Sequence, residues 1–277
     1  MAPKVFSFGS EPFDPSHRYV TSWLFSPWIL FGVRALLSLY AFVTSFFHLG
    51  WICQHVQLGG CEAASREFSY FTVLTFWALA FYFLVSAIHT GTYAMSGRAL
   101  LDIFPRPLQA LHSLYYTTIC VFPLIVTVVY WGILFTEPFD NSFSWWSNVS
   151  RHAMNMSFAL FEIIFTRTSL PPWIHILWLI IILALYLALA YLTRATRGFY
   201  VYPFLDPSKG GRRLAGYVCG ITISCVIFFL LVRGLIWVRT WVAETKLGMT
   251  GKFSSHDGTT KPHDPESTPK MEQSQQH

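Results

Sequence analysis

Charge is scarce in this chain of 277 residues. Asp and Glu number 14 and Lys and Arg 19, so that only 12% of residues are charged, against roughly 25% in an average soluble domain. Too little charge is present to cover a water-facing surface. That argues against a soluble enzyme, and the apolar content argues against a disordered chain. The net charge of +5 comes from scattered residues rather than a dense basic face, which argues against a nucleic-acid partner. The amino terminus opens polar and Pro-rich, without the pattern of a cleavable signal peptide, so the first apolar stretch is expected to target the chain itself.

What the chain does have is apolar and aromatic bulk: 53% hydrophobic residues and 18% Phe, Trp and Tyr. These gather into six stretches, 27–49, 68–91, 112–135, 146–166, 173–193 and 216–238, whose only charged residues are Arg34, Arg151, Glu162 and Arg233. A membrane helix needs about 20 mainly apolar residues to cross about 30 Å of hydrocarbon. The expected fold is therefore all-α: a polytopic membrane bundle of six transmembrane helices over residues 1–247, followed by a disordered polar tail over 248–277. Six crossings put both termini on one side, and the distribution of Lys and Arg favours the cytosol for them by a narrow margin. The expected location is an endomembrane, such as the endoplasmic reticulum, or the plasma membrane. Five cysteines are present. Cys53 and Cys61 share the first interhelical loop, where spacing leaves both a disulfide and two free thiols open.

Polar groups inside a bilayer are costly and need a reason. Stretch four carries Asn148, His152, Asn155 and Glu162 at spacings of one helical face, a stripe expected to face the bundle interior or a wet cavity. Stretch two carries Ser69, Thr72, Thr75, Tyr82, Ser86 and His89 along a second face. Hydroxyls of this kind commonly line helix contacts in membranes. The two stretches run parallel. Thr72 lies about 6 Å and His152 about 9 Å into their spans, so an alcohol and an imidazole reach comparable depth under one interface, the minimum for a nucleophile and its base. Arg34 and Glu162 likewise share a depth, which predicts a buried ion pair.

Residues 146–162 (W-S-N-V-S-R-H-A-M-N-M-S-F-A-L-F-E) and 198–206 (G-F-Y-V-Y-P-F-L-D), the latter followed by Gly210 and Gly211, carry a family resemblance. They are similar to the androgen-induced and androgen-dependent TFPI-regulating proteins, a family of intramembrane threonine hydrolases. The likeness covers most of residues 68–238. It implies a hydrolase that cleaves fatty acid esters of hydroxy fatty acids, with Thr72 on the nucleophile and His152 on the histidine. The threonine match is the looser one, and Thr75, one turn along, is the other placement. Asn148 and Glu162 fall on further motif positions, and Val149 stands where the animal motif has a second histidine. The partners so implied are a lipid ester and membrane lipids, with no cofactor and no metal.

In such a mechanism His152 takes the proton of Thr72, an acyl-threonine forms, and water releases the acid. Asn148 is the candidate oxyanion donor, Asn155 a supporting residue, and Arg151 a candidate for a substrate carboxylate. Two other readings remain at this stage. Histidines near helix ends, His89 with His112 and His48 with His152, fit a b-type haem electron-transfer protein. Polar stripes also fit a transporter or scaffold.

Overall fold

Ser26 and Pro27 open the first long helix. The Ser26 hydroxyl accepts from the Ile29 N–H and proline occupies the first turn, where its missing N–H costs nothing. The computed structural model describes residues 13–135 and 141–249. In chain order they form α1 (Pro27–Gln54), α2 (Gly60–Arg66), α3 (Phe71–Ser96), α4 (Leu100–Ile103), α5 (Arg106–Val129), α6 (Ser142–Val149), α7 (Asn155–Phe165), α8 (His175–Arg197) and α9 (Gly211–Thr240). Three wide π turns extend or join them: Tyr130–Leu134 after α5, Ser150–Met154 between α6 and α7, and Trp241–Lys246 after α9. Gly97 and Gly198, both at positive φ, end α3 and α8. Nearly all of the expected tail lies outside the described residues.

Each of the six apolar stretches is helical, but the count of six spans is not confirmed. Among the described residues, five helices are long and apolar enough to cross a membrane: 27–54, 71–96, 106–134, 175–197 and 211–246. Together they make a multi-pass membrane protein. The exception is 142–165, helical throughout but interrupted by its π turn. It carries the Asn148, Arg151, His152, Asn155 and Glu162 polar set, which dilutes its hydropathy. It packs against α5, and its α7 half also meets α9.

The closest helix pair is α1 with α3. Gly91 permits it, because a Cβ there would sit 3.0 Å from the Phe31 ring, and Ser38 donates across the pair to the Ala80 carbonyl at 3.0 Å. Outward faces stay apolar, with Leu36 66% and Phe46 63% exposed, as lipid requires. The core runs along α3, α5, α7 and α9 through Phe76, Phe83, Ile119, Phe158 and Phe229. Toward one end of it Arg34 and Glu162 form the predicted ion pair. They bond twice, at 2.8 and 2.7 Å, with both side chains 0% exposed. Arg34 also donates to the Tyr19 carbonyl and the Thr90 hydroxyl, and Tyr82 donates to Glu162 at 3.2 Å.

At that end of the bundle, residues 13–26 fold back beneath the helices. Ser22 and Trp23 donate to the carbonyls of Phe165 and Ile164, and Arg18 pairs with Glu244. At the opposite end Cys53 and Cys61 are joined as a disulfide, which resolves the alternative that their spacing left open.

Candidate active site

The disulfide end is built around the start of α3. Its N-cap is Tyr70, whose side chain makes no capping bond, so the first backbone N–H groups need partners from elsewhere. Two tyrosines supply them. The Phe71 N–H donates to the hydroxyls of Tyr186 on α8 and Tyr202 in the loop before α9, at 3.1 and 3.2 Å. Tyr186 passes its own proton to the Ser69 carbonyl. Tyr202 and Thr72 also line the same cavity. The Val201–Leu205 motif therefore holds the helix end that carries Thr72, a role outside the reach of sequence reasoning because its contacts span about 130 residues.

Thr72 opens onto a cavity of about 170 Å³ whose wall includes Tyr130, Tyr186, Tyr202, Phe204 and Thr222. Apart from these hydroxyls the lining is apolar, as an acyl chain requires. Thr75 faces a different cavity, of about 460 Å³, between α3, α5 and α8. Its hydroxyl donates to the Thr72 carbonyl at 2.9 Å.

His152 sits on the π turn joining α6 to α7 and is nearly buried. Its Nδ1 is 3.0 Å from the Asn148 carbonyl. That acceptor calls for the proton on Nδ1 and leaves the Nε2 lone pair free. The imidazole lies flat on the Tyr130 ring, with centroids 3.5 Å apart and planes 14° from parallel. Tyr130 itself begins the π turn that ends α5. Two wide turns, a feature frequent at functional sites, thus face each other through a stacked pair. No hydrogen bond joins Thr72 to His152 among the described residues. Tyr130 is what they share, since it walls the Thr72 cavity and covers His152.

The other expected site residues are placed differently. Asn148 has its amide engaged, accepting from Tyr130 at 2.8 Å and donating to the Ser144 carbonyl at 2.8 Å. Arg151 is paired with Glu67 at 2.6 Å. Asn155 is 0% exposed, with no protein partner for either side-chain polar atom. Glu162 belongs to the Arg34 pair and meets Tyr82, ten residues and about 15 Å along α3 from Thr72. The π turn explains the split. Its extra residue breaks the single stripe that α-helical spacing predicted, so that Asn148 and Glu162 serve different neighbourhoods. His175, at the head of α8, is buried, 2.7 Å from the Thr117 hydroxyl.

The haem arrangement fares poorly on geometry. His89 and His112 touch edge to face with centroids 5.2 Å apart, and Tyr19 and Tyr82 pack on His112, leaving no flat slot. His48 has both ring nitrogens engaged by Ser147 and Glu67.

The family model described as FAR-17a/AIG1-like protein matches residues 33–239. The chain belongs to that family. The matched span runs from α1 to the end of α9 and includes both Thr72 and His152. No match was found among curated proteins or solved structures. Membership in the FAR-17a/AIG1-like family fits a membrane hydrolase and agrees with the resemblance carried by residues 146–162 and 198–206.

Proposed function

We propose that this protein is an integral-membrane esterase that hydrolyses fatty acid esters of hydroxy fatty acids or related lipid esters, with Thr72 as nucleophile and His152 as base. The observation that carries this reading is the apolar cavity whose lining includes Thr72 and Tyr130, the ring on whose face His152 stacks. Tyr130 turns aside when substrate enters, and the imidazole then takes the Thr72 proton as Oγ1 attacks the ester carbonyl. The alkoxide leaves with that proton, and water cleaves the acyl-threonine.

Asn148 is engaged, so the oxyanion donor is assigned to Tyr202. Its oxygen accepts from the Phe71 N–H at the positive end of α3, which polarises the phenol and leaves its proton for the cavity. The Cys53–Cys61 disulfide supports a lumenal or exterior placement of this end, because such bonds persist in oxidising compartments.

The deciding experiment is turnover of such an ester by purified protein in nanodiscs, wild type beside Thr72→Ala, Thr75→Ala, His152→Ala and Tyr202→Phe. Loss of turnover in Thr72→Ala and His152→Ala with retention in Thr75→Ala is expected. Full activity in Thr72→Ala with loss in Thr75→Ala would move the nucleophile one turn along α3 into the neighbouring cavity. Activity surviving in all four variants would end the proposal.

A further inference from the structure

A hydroxyl, an imidazole and a carboxylate stand in line beside α6, in neither of the two cavities. Ser147 Oγ lies 2.8 Å from His48 Nδ1. His48 Nε2 lies 3.0 Å from Glu67 Oε2, and Arg151 Nη1 donates to the same oxygen at 2.6 Å. The three residues come from α6, the last two turns of α1 and the short turn before α3, so only the tertiary fold assembles them.

The proton positions follow from the partners. An ionised carboxylate only accepts, so Nε2 carries the imidazole proton and Nδ1 offers its lone pair to the Ser147 hydroxyl. Burial raises the Glu67 pKa. The His48 bond and the Arg151 charge outweigh it, holding the carboxyl below its ordinary range and ionised. Nucleophile, base and orienting acid thus appear in the order that activates a serine.

A purely structural serine would not need this. The helical hydroxyls of Thr90 and Thr222 each donate to the carbonyl four residues back, the usual solution for a buried alcohol. The Ser147 hydroxyl has an imidazole as its partner instead. Its cover is aromatic. Ser147 is 1% and His48 7% exposed, beneath Phe143, whose ring stacks on His48 at 5.7 Å and on Trp51 at 5.0 Å. The adjoining Phe47 is half exposed on the outer face. An occupant entering here comes from the lipid side and displaces Phe143.

We propose that Ser147, His48 and Glu67 form a second nucleophilic site, reactive toward acyl esters that enter from the bilayer, and independent of Thr72. The Ser147 proton passes to His48 Nδ1 as Oγ bonds to the ester carbonyl carbon. The ester C–O bond breaks, the departing alkoxide takes that proton, and water later releases the acid from the acyl-serine.

The test uses the full chain in nanodiscs and a fluorophosphonate with an alkyl tail, the adduct being mapped by peptide mass. Serine attack there displaces fluoride. In the Thr72→Ala/Thr75→Ala protein an adduct on Ser147 is expected. It is abolished by Ser147→Ala, slowed about 10²-fold or more by His48→Gln, and accelerated by Phe143→Ala. No adduct on Ser147 in a double variant that keeps the wild-type melting temperature overturns the proposal, as does labelling unchanged by Ser147→Ala. Should Ser147→Ala fail to fold, the mapped adduct in protein with native Ser147 decides alone. Since both threonines are absent, failure of the Thr72 mechanism leaves this result unaffected.

Discussion

The two ends of the 142–165 rod solve opposite problems. Near its carboxyl end Glu162 meets Arg34 through two bonds, with Tyr82, Thr90 and the Tyr19 carbonyl accommodating the surrounding donors and acceptors. Near its amino end a π turn holds His152 against a single ring, beside a cavity and a chain of side-chain contacts. The first arrangement fixes charge in a low-dielectric interior by bonding the pair from several sides, which is the condition under which a buried pair is tolerated. The second leaves room and an unengaged imidazole edge. A multiply bonded charge pair and an imidazole with an unengaged edge thus share one piece of helix.

The largest test of that division is Glu162→Ala. It strands the Arg34 guanidinium and should destabilise the protein by about 3–5 kcal/mol, read as lost folded protein or a much lower melting temperature in detergent. An unchanged melt would show that the pair is not the anchor of this end. His152→Ala should do the reverse, lowering ester turnover by about 10²–10⁴-fold while leaving the melt near that of wild type. A collapse of the fold instead would make His152 a packing residue.

A smaller effect is expected of Cys53→Ser with Cys61→Ser. The disulfide closes a loop of eight-residue separation, so its removal should cost about 2–3 kcal/mol, felt at the cavity end before the Arg34 end in hydrogen exchange. Smallest is the acid response of Glu67. Its carboxyl is held below its ordinary pKa, with burial opposing and the His48 bond and Arg151 charge prevailing. Its contribution is therefore present above the ordinary carboxylate range and lost as pH falls through its folded value. Glu67→Gln should flatten that acid limb of the stability profile, and an unaltered limb would assign it to another carboxylate.

The helices were legible because a bilayer demands long apolar stretches, and all six stretches are helical. The Arg34–Glu162 pair was legible because two opposite charges at equal depth have few other partners. The count of crossings was less so. Residues 142–165 carry polar groups inside a helix that the bundle accommodates through contacts with α5 and α9, and composition alone does not describe those contacts. The proposed pair of Thr72 and His152 was legible as a permitted depth match and through the family resemblance, whereas the placement of Tyr130 between cavity and imidazole appears in no spacing rule. The roles of Tyr202, Glu67 and Ser147 were not legible at all. Tyr202 reaches Phe71 across more than a hundred residues, and a stripe drawn at 3.6 residues per turn misses a helix that widens at Ser150.

That widening has a genetic corollary. Each residue advances an α-helix by about 100°, and the Ser150–Met154 turn accommodates one more residue than an α turn between fixed neighbours. Deleting any single residue within it would restore ordinary winding and swing α6 by about 100° about the rod while Glu162 stayed on Arg34. His152, or whichever side chain inherited its place, would then point elsewhere. The number of residues in that turn is therefore a constraint on this gene in addition to the identity of His152 within it.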